Sequence, residues 1–213
     1  MKLTGFKVLT FDCYGTLIDW ESGIFNALMP LVRGANVTET GDQLLQTFAK
    51  HESAQEEETP AIPYSQLLSV VYKRLGKEWD VSVANEEAII FGAAVPDWPE
   101  FPDSVDALQY LKKHYKLVIL SNVDRISFRS SNARLKGSFD AIYTAQSLFH
   151  EHAPANRFGI ASAWIDRRHA EHGWGATMPP PGAPNYDFRF HSMADLVLAH
   201  QTEVRRANAV ARA

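Results

Sequence analysis

A single cysteine, Cys13, rules out a disulfide within these 213 residues. No apolar run approaches the roughly 20 residues that a membrane helix needs. Basic residues are not in excess: 21 Lys and Arg stand against 25 Asp and Glu, for a net charge of −4. With a pI near 6.1, the chain has neither the basic footprint of a nucleic-acid binder nor a polybasic membrane patch. The first residues, Met1 to Lys7, contain no apolar signal core, so the expected compartment is the cytoplasm. What is present is ordinary: 46% hydrophobic and 22% charged residues, enough core for a globular domain carrying an insertion. The expected partner is a small-molecule substrate, anionic in character, with no nucleic acid and no membrane.

Against that background Val8-Leu9-Thr10-Phe11-Asp12-Cys13-Tyr14-Gly15-Thr16-Leu17 stands out. An apolar run ending in Asp and then a glycine turn is how an open α/β sheet presents a reactive group at its carboxyl edge. Asp12 is a candidate nucleophile, since a carboxylate can form an ester that water later cleaves. Gly15 lets the backbone bend close to a substrate, and Thr16 offers a hydroxyl and an amide. Taken alone, the motif also fits an ordinary strand and turn.

After Leu17 the spacing becomes helical. Ile24, Phe25, Leu28, Leu31 and Val32 share a face, with Pro30 expected to kink or stop the helix. Further helices are expected from Leu44 to the acidic run Glu56-Glu57-Glu58, over Tyr64 to Leu75, and over residues 82–94. The stretch Val95 to Pro102 is expected to break regular structure as a return linker. From Asp103 the α/β pattern resumes: a helix with Val105, Leu108 and Leu111 inward, then a strand from Tyr115 to Leu120. That strand ends in Ser121-Asn122, whose hydroxyl and amide could hold an anionic group beside Asp12 or could cap a helix. A helix over Ile126–Leu135, a strand within 139–146 and a strand over 159–165 follow. Arg167-Arg168 reads as a polar patch, Gly173 to Pro184 as an irregular loop, and Ser192 as the cap of a last helix.

Phe11-Asp12-Cys13-Tyr14-Gly15-Thr16-Leu17, a helical insertion, and Leu120-Ser121-Asn122 together resemble the haloacid dehalogenase superfamily, in its 2-haloacid dehalogenase-like branch. The resemblance implies an α/β fold: a Rossmann-like parallel sheet core, residues 1–17 and 99–213, with an inserted all-helical cap, residues 18–98. It implies a hydrolase with Asp12 as nucleophile, Glu151 at the last acidic motif, and substrate contacts from Tyr14, Thr16, Ser121 and Asn122. Glu151 could equally be a surface acid at a helix start. Phosphatases of the superfamily resemble D-x-D here, their second Asp serving as acid and magnesium ligand. Tyr14 occupies that place, so the resemblance implies no cofactor, with magnesium needed only by a phosphatase alternative. Two histidine pairs, His150 with His152 and His169 with His172, lack the Cys or carboxylate cluster of a metal centre.

Three departures from the family pattern matter. No arginine lies between Arg33 and Arg74, where the resemblance implies a halide-receiving one; Phe48 is expected there, with Lys50 and His51 as alternatives. After Gln146 a strand-helix unit of roughly thirty residues is missing, and with it the family's lysine that keeps the nucleophile ionised. The missing strand would have lain beside the first, so residues 140–146 must fill that central place or leave it empty. An empty centre invites pairing with another chain, and a homodimer is one expectation. A catalytically impaired relative that acts as a binding protein is the remaining alternative.

Overall fold

The first strand, β1 (Val8–Phe11), is followed by five α-helices before the sheet resumes. The computed structural model describes residues 1–121, 123–144, 159–168, 174–179 and 186–212. α1 (Trp20–Gly34) begins at Asp19, whose carboxylate accepts from the Ser22 amide at 3.1 Å. It runs through Pro30 instead of stopping there. Leu28, Leu31 and Val32 are buried on both sides of the proline, and that packing outweighs the lost backbone bond. α2 (Gly41–Glu58) opens on a Thr40/Gln43 capping box and includes the acidic run. α3 (Tyr64–Glu78) starts directly after Pro63, and α4 is shorter than its sequence pattern, Asn85–Gly92. α3 and α4 meet at Gly92, where a Cβ would stand 2.2 Å from the Ser65 carbonyl oxygen. Phe91 stacks on Tyr72 at 4.8 Å and meets Phe48 edge-on at 6.4 Å.

The return segment is more ordered than a proline-rich linker suggests. Val95–Asp97 forms a 3-10 turn, and Glu100 pairs with Ile18 in an antiparallel bridge. α5 (Ser104–Leu111), β2 (Lys116–Ser121), α6 (Arg125–Leu135) and β3 (Ala141–Thr144) follow. The three strands form a parallel sheet in the order β1-β2-β3, with Phe11 opposite Ile119 and Ser121 opposite Thr144. β4 (Ala163–Ile165) and β5 (Phe188–Phe190) make a second parallel pair. The sequence pattern over 159–165 is therefore a strand only in its last three residues, and it is not the last strand. β5 is a Phe-Arg-Phe triplet, too short for its alternation to register. α7 (Met193–Val210) is capped by Ser192, which accepts from the Asp195 amide at 3.0 Å. Glu203 on α7 holds the start of the chain, accepting from the amides of Leu3 and Thr4 at 3.1 and 3.0 Å.

These elements form the α/β fold with a parallel, Rossmann-like sheet and a helical cap. β3 pairs on the far side of β2 and does not take the place beside β1. Among the described residues that place is left empty. Val8, on the strand that would be central, is accordingly 48% exposed, and Thr10 is exposed as well. Among the described residues no helix is long and apolar enough to cross a membrane.

One acid sits inside the helical insertion. Glu52 on α2 is buried and accepts a hydrogen bond from the Tyr64 hydroxyl. Burial pushes its carboxyl up to about 8; the Tyr64 bond opposes this and the neighbouring Glu56 adds to it. The folded chain therefore binds this proton more tightly than the unfolded chain, whose Glu52 titrates near the ordinary 4.5. The resulting stabilisation is full below that value and is lost as pH rises toward 8. Thermal melts from pH 5 to pH 9 should show a Tm that declines up to about pH 8. The Glu52→Gln variant, neutral throughout, should lack that part of the decline; an unchanged profile would refute the assignment.

Candidate functional site

β1 delivers Asp12 into a tight loop. The amides of Leu17 and Ile18 both donate to the Cys13 carbonyl, at 2.8 and 2.9 Å, and the Gly15 amide donates to the Ile18 carbonyl at 2.8 Å. Gly15 has φ +84°, a conformation that favours glycine. A Cβ there would also stand 3.1 Å from the Trp20 indole nitrogen. The loop therefore turns back on itself between β1 and α1. Asp12, Tyr14, Gly15 and Thr16 all line one cavity of about 1290 Å³. Its far wall comes from β4 and β5, and Trp20, Phe25 and Leu45 approach it from the helical insertion.

The side chains flanking Asp12 are held neutral. Burial, and then the Asp12 carboxylate beside it, raises the Cys13 thiol well above its ordinary range. Burial is also the main cause that raises the Tyr14 phenol. Its hydroxyl shares a 2.8 Å hydrogen bond with Ser131 on α6, and its ring packs edge-on against Trp98 at 5.6 Å. Tyr14 can therefore line the pocket and donate or accept a hydrogen bond, but it is no base.

Ser121 is placed differently. It is 5% exposed, lies outside the cavity lining, and its hydroxyl accepts from the Val123 amide at 3.4 Å. The cap of α6 is instead Asp124, which accepts from the amides of Ile126 and Ser127 at 2.9 and 3.0 Å. Asn122, Glu151 and the histidines at 150, 152, 169 and 172 lie outside the described residues. Phe48 does not face the cavity: it is fully buried among the helices of the insertion. Lys50 and His51 both turn to Glu78, so neither stands in for a cation at the site. Leu45 is the residue of that helix turn that reaches the cavity. Among the described residues no three His, Cys, Asp or Glu side chains gather as a metal site.

The polar patch at the end of β4 proves to be part of the site. Arg167 donates to the Thr16 carbonyl through both Nε, at 3.1 Å, and Nη2, at 2.7 Å. Its Nη1 pairs with Asp103 at 2.8 Å, and its guanidinium lies 4.0 Å over the Phe101 ring. Arg168 pairs with Glu21 of α1 at 2.5 Å and with Asp42 of α2 at 2.6 Å. The signal was available: both follow an apolar strand at its carboxyl end, as Asp12 and Ser121 do.

A family model for haloacid dehalogenase-like hydrolases matches residues 6–155. The chain belongs to that family. Solved structures agree on the fold of this haloacid dehalogenase-like protein. The L-2-haloacid dehalogenase of Xanthobacter autotrophicus is 16% identical with a TM-score of 0.70, over 92% of this chain and 98% of that one. A defluorinating L-2-haloacid dehalogenase is 17% identical with a TM-score of 0.66, over 92% and 95%. A magnesium-bound HAD hydrolase of Bacillus subtilis is 12% identical with a TM-score of 0.65, over 92% and 98%. No curated protein sequence matches the chain.

The bidentate hold on Thr16 sets a prediction. Arg167→Ala strands the Asp103 carboxylate and a loop carbonyl, and should lower stability by about 2–4 kcal/mol. Arg167→Lys should recover less than half of that, because an ammonium cannot reproduce the fork. Urea unfolding of the three chains measures it; equal stability would refute the clamp.

Proposed function

We propose that this chain is a hydrolase acting on carbon–halogen bonds of small organic acids through Asp12. The observation that carries the reading is the position of Asp12: at the carboxyl end of β1, on a glycine turn, in a cavity beneath helices. The Asp12 carboxylate attacks the carbon bearing the halogen, a carbon–oxygen bond forms, and the halide leaves with its electron pair. Water then attacks the ester, releasing a hydroxy acid and returning the carboxylate. Thr16, with Asn122, would hold the substrate's anionic group, whereas Ser121, buried and bonded to the Val123 amide, would support the turn that carries Asn122. Tyr14 would line the pocket, and Glu151 would orient water. The core of residues 1–17 and 99–213 would carry this chemistry, with residues 18–98 as the cap that excludes water. The reaction so written uses no metal. The similar Xanthobacter autotrophicus enzyme has been captured with chloropropionic acid covalently bound, which supports an ester on this fold.

A second reading is favoured by the place beside β1 that no described strand fills: a relative that binds ligands without turning them over. A magnesium-dependent phosphatase has less support, because Tyr14 offers no carboxylate next to Asp12. Chloride release from 2-chloropropionate in the presence of a chelator separates the three. We expect release that falls at least 1,000-fold, about 4 kcal/mol of barrier, in Asp12→Asn. Phosphate release that requires magnesium would replace this reading with the phosphatase. A folded chain with neither activity would replace it with the binding protein.

A further inference from the structure

One guanidinium holds the starts of both helices that reach the cavity from the insertion. Arg168, just past β4, pairs through Nη1 with Glu21 in the first turn of α1 at 2.5 Å and through Nη2 with Asp42 in the first turn of α2 at 2.6 Å. An acid in a first turn is favoured by the helix dipole wherever it points. Neither acid is the cap of its helix, however: Asp19 caps α1, and the Thr40/Gln43 box caps α2. Both carboxylates are committed across the cavity mouth, to the core.

The two contacts differ in strength. The Glu21 side chain is shielded, at 21% exposed, and its other oxygen accepts from the Ala176 amide at 3.0 Å. The turn behind it is packed so closely that a Cβ on Gly175, at φ +60°, would stand 1.7 Å from that oxygen. The Asp42 side chain is 47% exposed, and among the described residues its carboxylate bonds Arg168 alone. Exposed ion pairs are weak and screened by salt, whereas shielded ones are screened far less. The node therefore has a fixed half on α1 and a yielding half on α2.

What Asp42 governs sits one turn further on. Leu45, three residues later and so on the same helix face, lines the cavity and is 6% exposed. The hold of α1 does not depend on Asp42, since Trp20 lies against the glycine turn, its indole nitrogen 3.1 Å from where a Gly15 Cβ would stand. We infer that Asp42 is a positioning residue for the chemistry at Asp12. Through Arg168 it keeps the start of α2, and with it Leu45, lowered over the cavity. It is also the contact that yields when α2 lifts, while Glu21 and α1 stay in place. The effect on turnover rests on the hydrolase reading; the position of Leu45 does not.

Two readouts on the full chain test this. In the first, a soluble paramagnetic chelate reports by NMR how far solvent reaches the Leu45 methyls. Raising sodium chloride from about 0.05 to about 1 M should increase their relaxation enhancement about threefold in the unaltered chain, with the Trp20 indole unchanged. Asp42→Asn should show the same increase at low salt and no further response to salt. A salt-insensitive Leu45, or an equal change at Trp20, overturns the proposal. So does an undiminished effect of Asp42→Asn in an Arg168→Leu background, which would leave Asp42 as a helix-dipole acid. The second readout is chloride release from 2-chloropropionate. A lifted α2 admits water at the chemical step, so kcat should fall about tenfold in Asp42→Asn with KM within about twofold. Asp42→Glu, which keeps the charge, should recover at least half of the loss. An exposed Leu45 with kcat unchanged in an active chain refutes the positioning role. No chloride release from the unaltered chain sinks the hydrolase reading instead, and the Leu45 methyls then decide the clasp alone.

Discussion

The fork of Arg167 on the Thr16 carbonyl is the interaction on which the rest of the site depends. Among the described residues no backbone ladder joins β1 to the β4–β5 pair. Side chains make the connection instead. Arg167 ties the end of β4 to the glycine loop after β1 and, through Asp103, to the first turn of α7, because the other Asp103 oxygen accepts from the Ala194 amide at 3.0 Å. Arg168 ties the same turn to the first two helices of the insertion. A guanidinium suits this task because it is planar, always charged and able to bond in two directions at once.

The same arrangement governs the electrostatics around Asp12. Its sequence neighbours Cys13 and Tyr14 are both held in their neutral forms by burial, so neither places a second negative charge beside the carboxylate. Among the described residues, the arginines that line the cavity do not act as loose cations, since Arg167, Arg168 and Arg189 are each committed to a carboxylate. Their work is positional. The helix interior repeats the theme in Glu52 and Tyr64, where an acid is tolerated in an apolar setting because it keeps its proton.

Much of this was legible in the sequence because it is local. β1, the glycine loop after Asp12, β2 and the Ser192 cap each announce themselves within a few residues through an apolar run, a turn former or a capping side chain. The family resemblance rested on those same short motifs. What stayed hidden was set by distance. Arg167 meets a carbonyl 151 residues earlier in the chain, and no spacing rule reports such a partner. Helical periodicity put Phe48 on an apolar face without saying that the face packs on Phe91 and not on the cavity. Ser121 has the right side chain at the right strand end, yet its hydroxyl serves the turn that follows. β5 is three residues long and meaningful only as a partner of β4.

The doorway of the helical insertion carries a consequence of its own. Chain entering at Leu17 and chain leaving at Phe101 run side by side: the Phe101 amide donates to the Leu17 carbonyl at 3.1 Å and the Asp19 amide to the Pro99 carbonyl at 2.8 Å. The core therefore holds the two ends of the insertion together by its own hydrogen bonds, whatever lies between them. Loop closure grows costlier only with the logarithm of length, so this junction can host inserts of quite different size at nearly constant expense. The four helices are in that sense a replaceable module, and a graft made between Leu17 and Phe101 would exchange the roof of the cavity while leaving its floor in place.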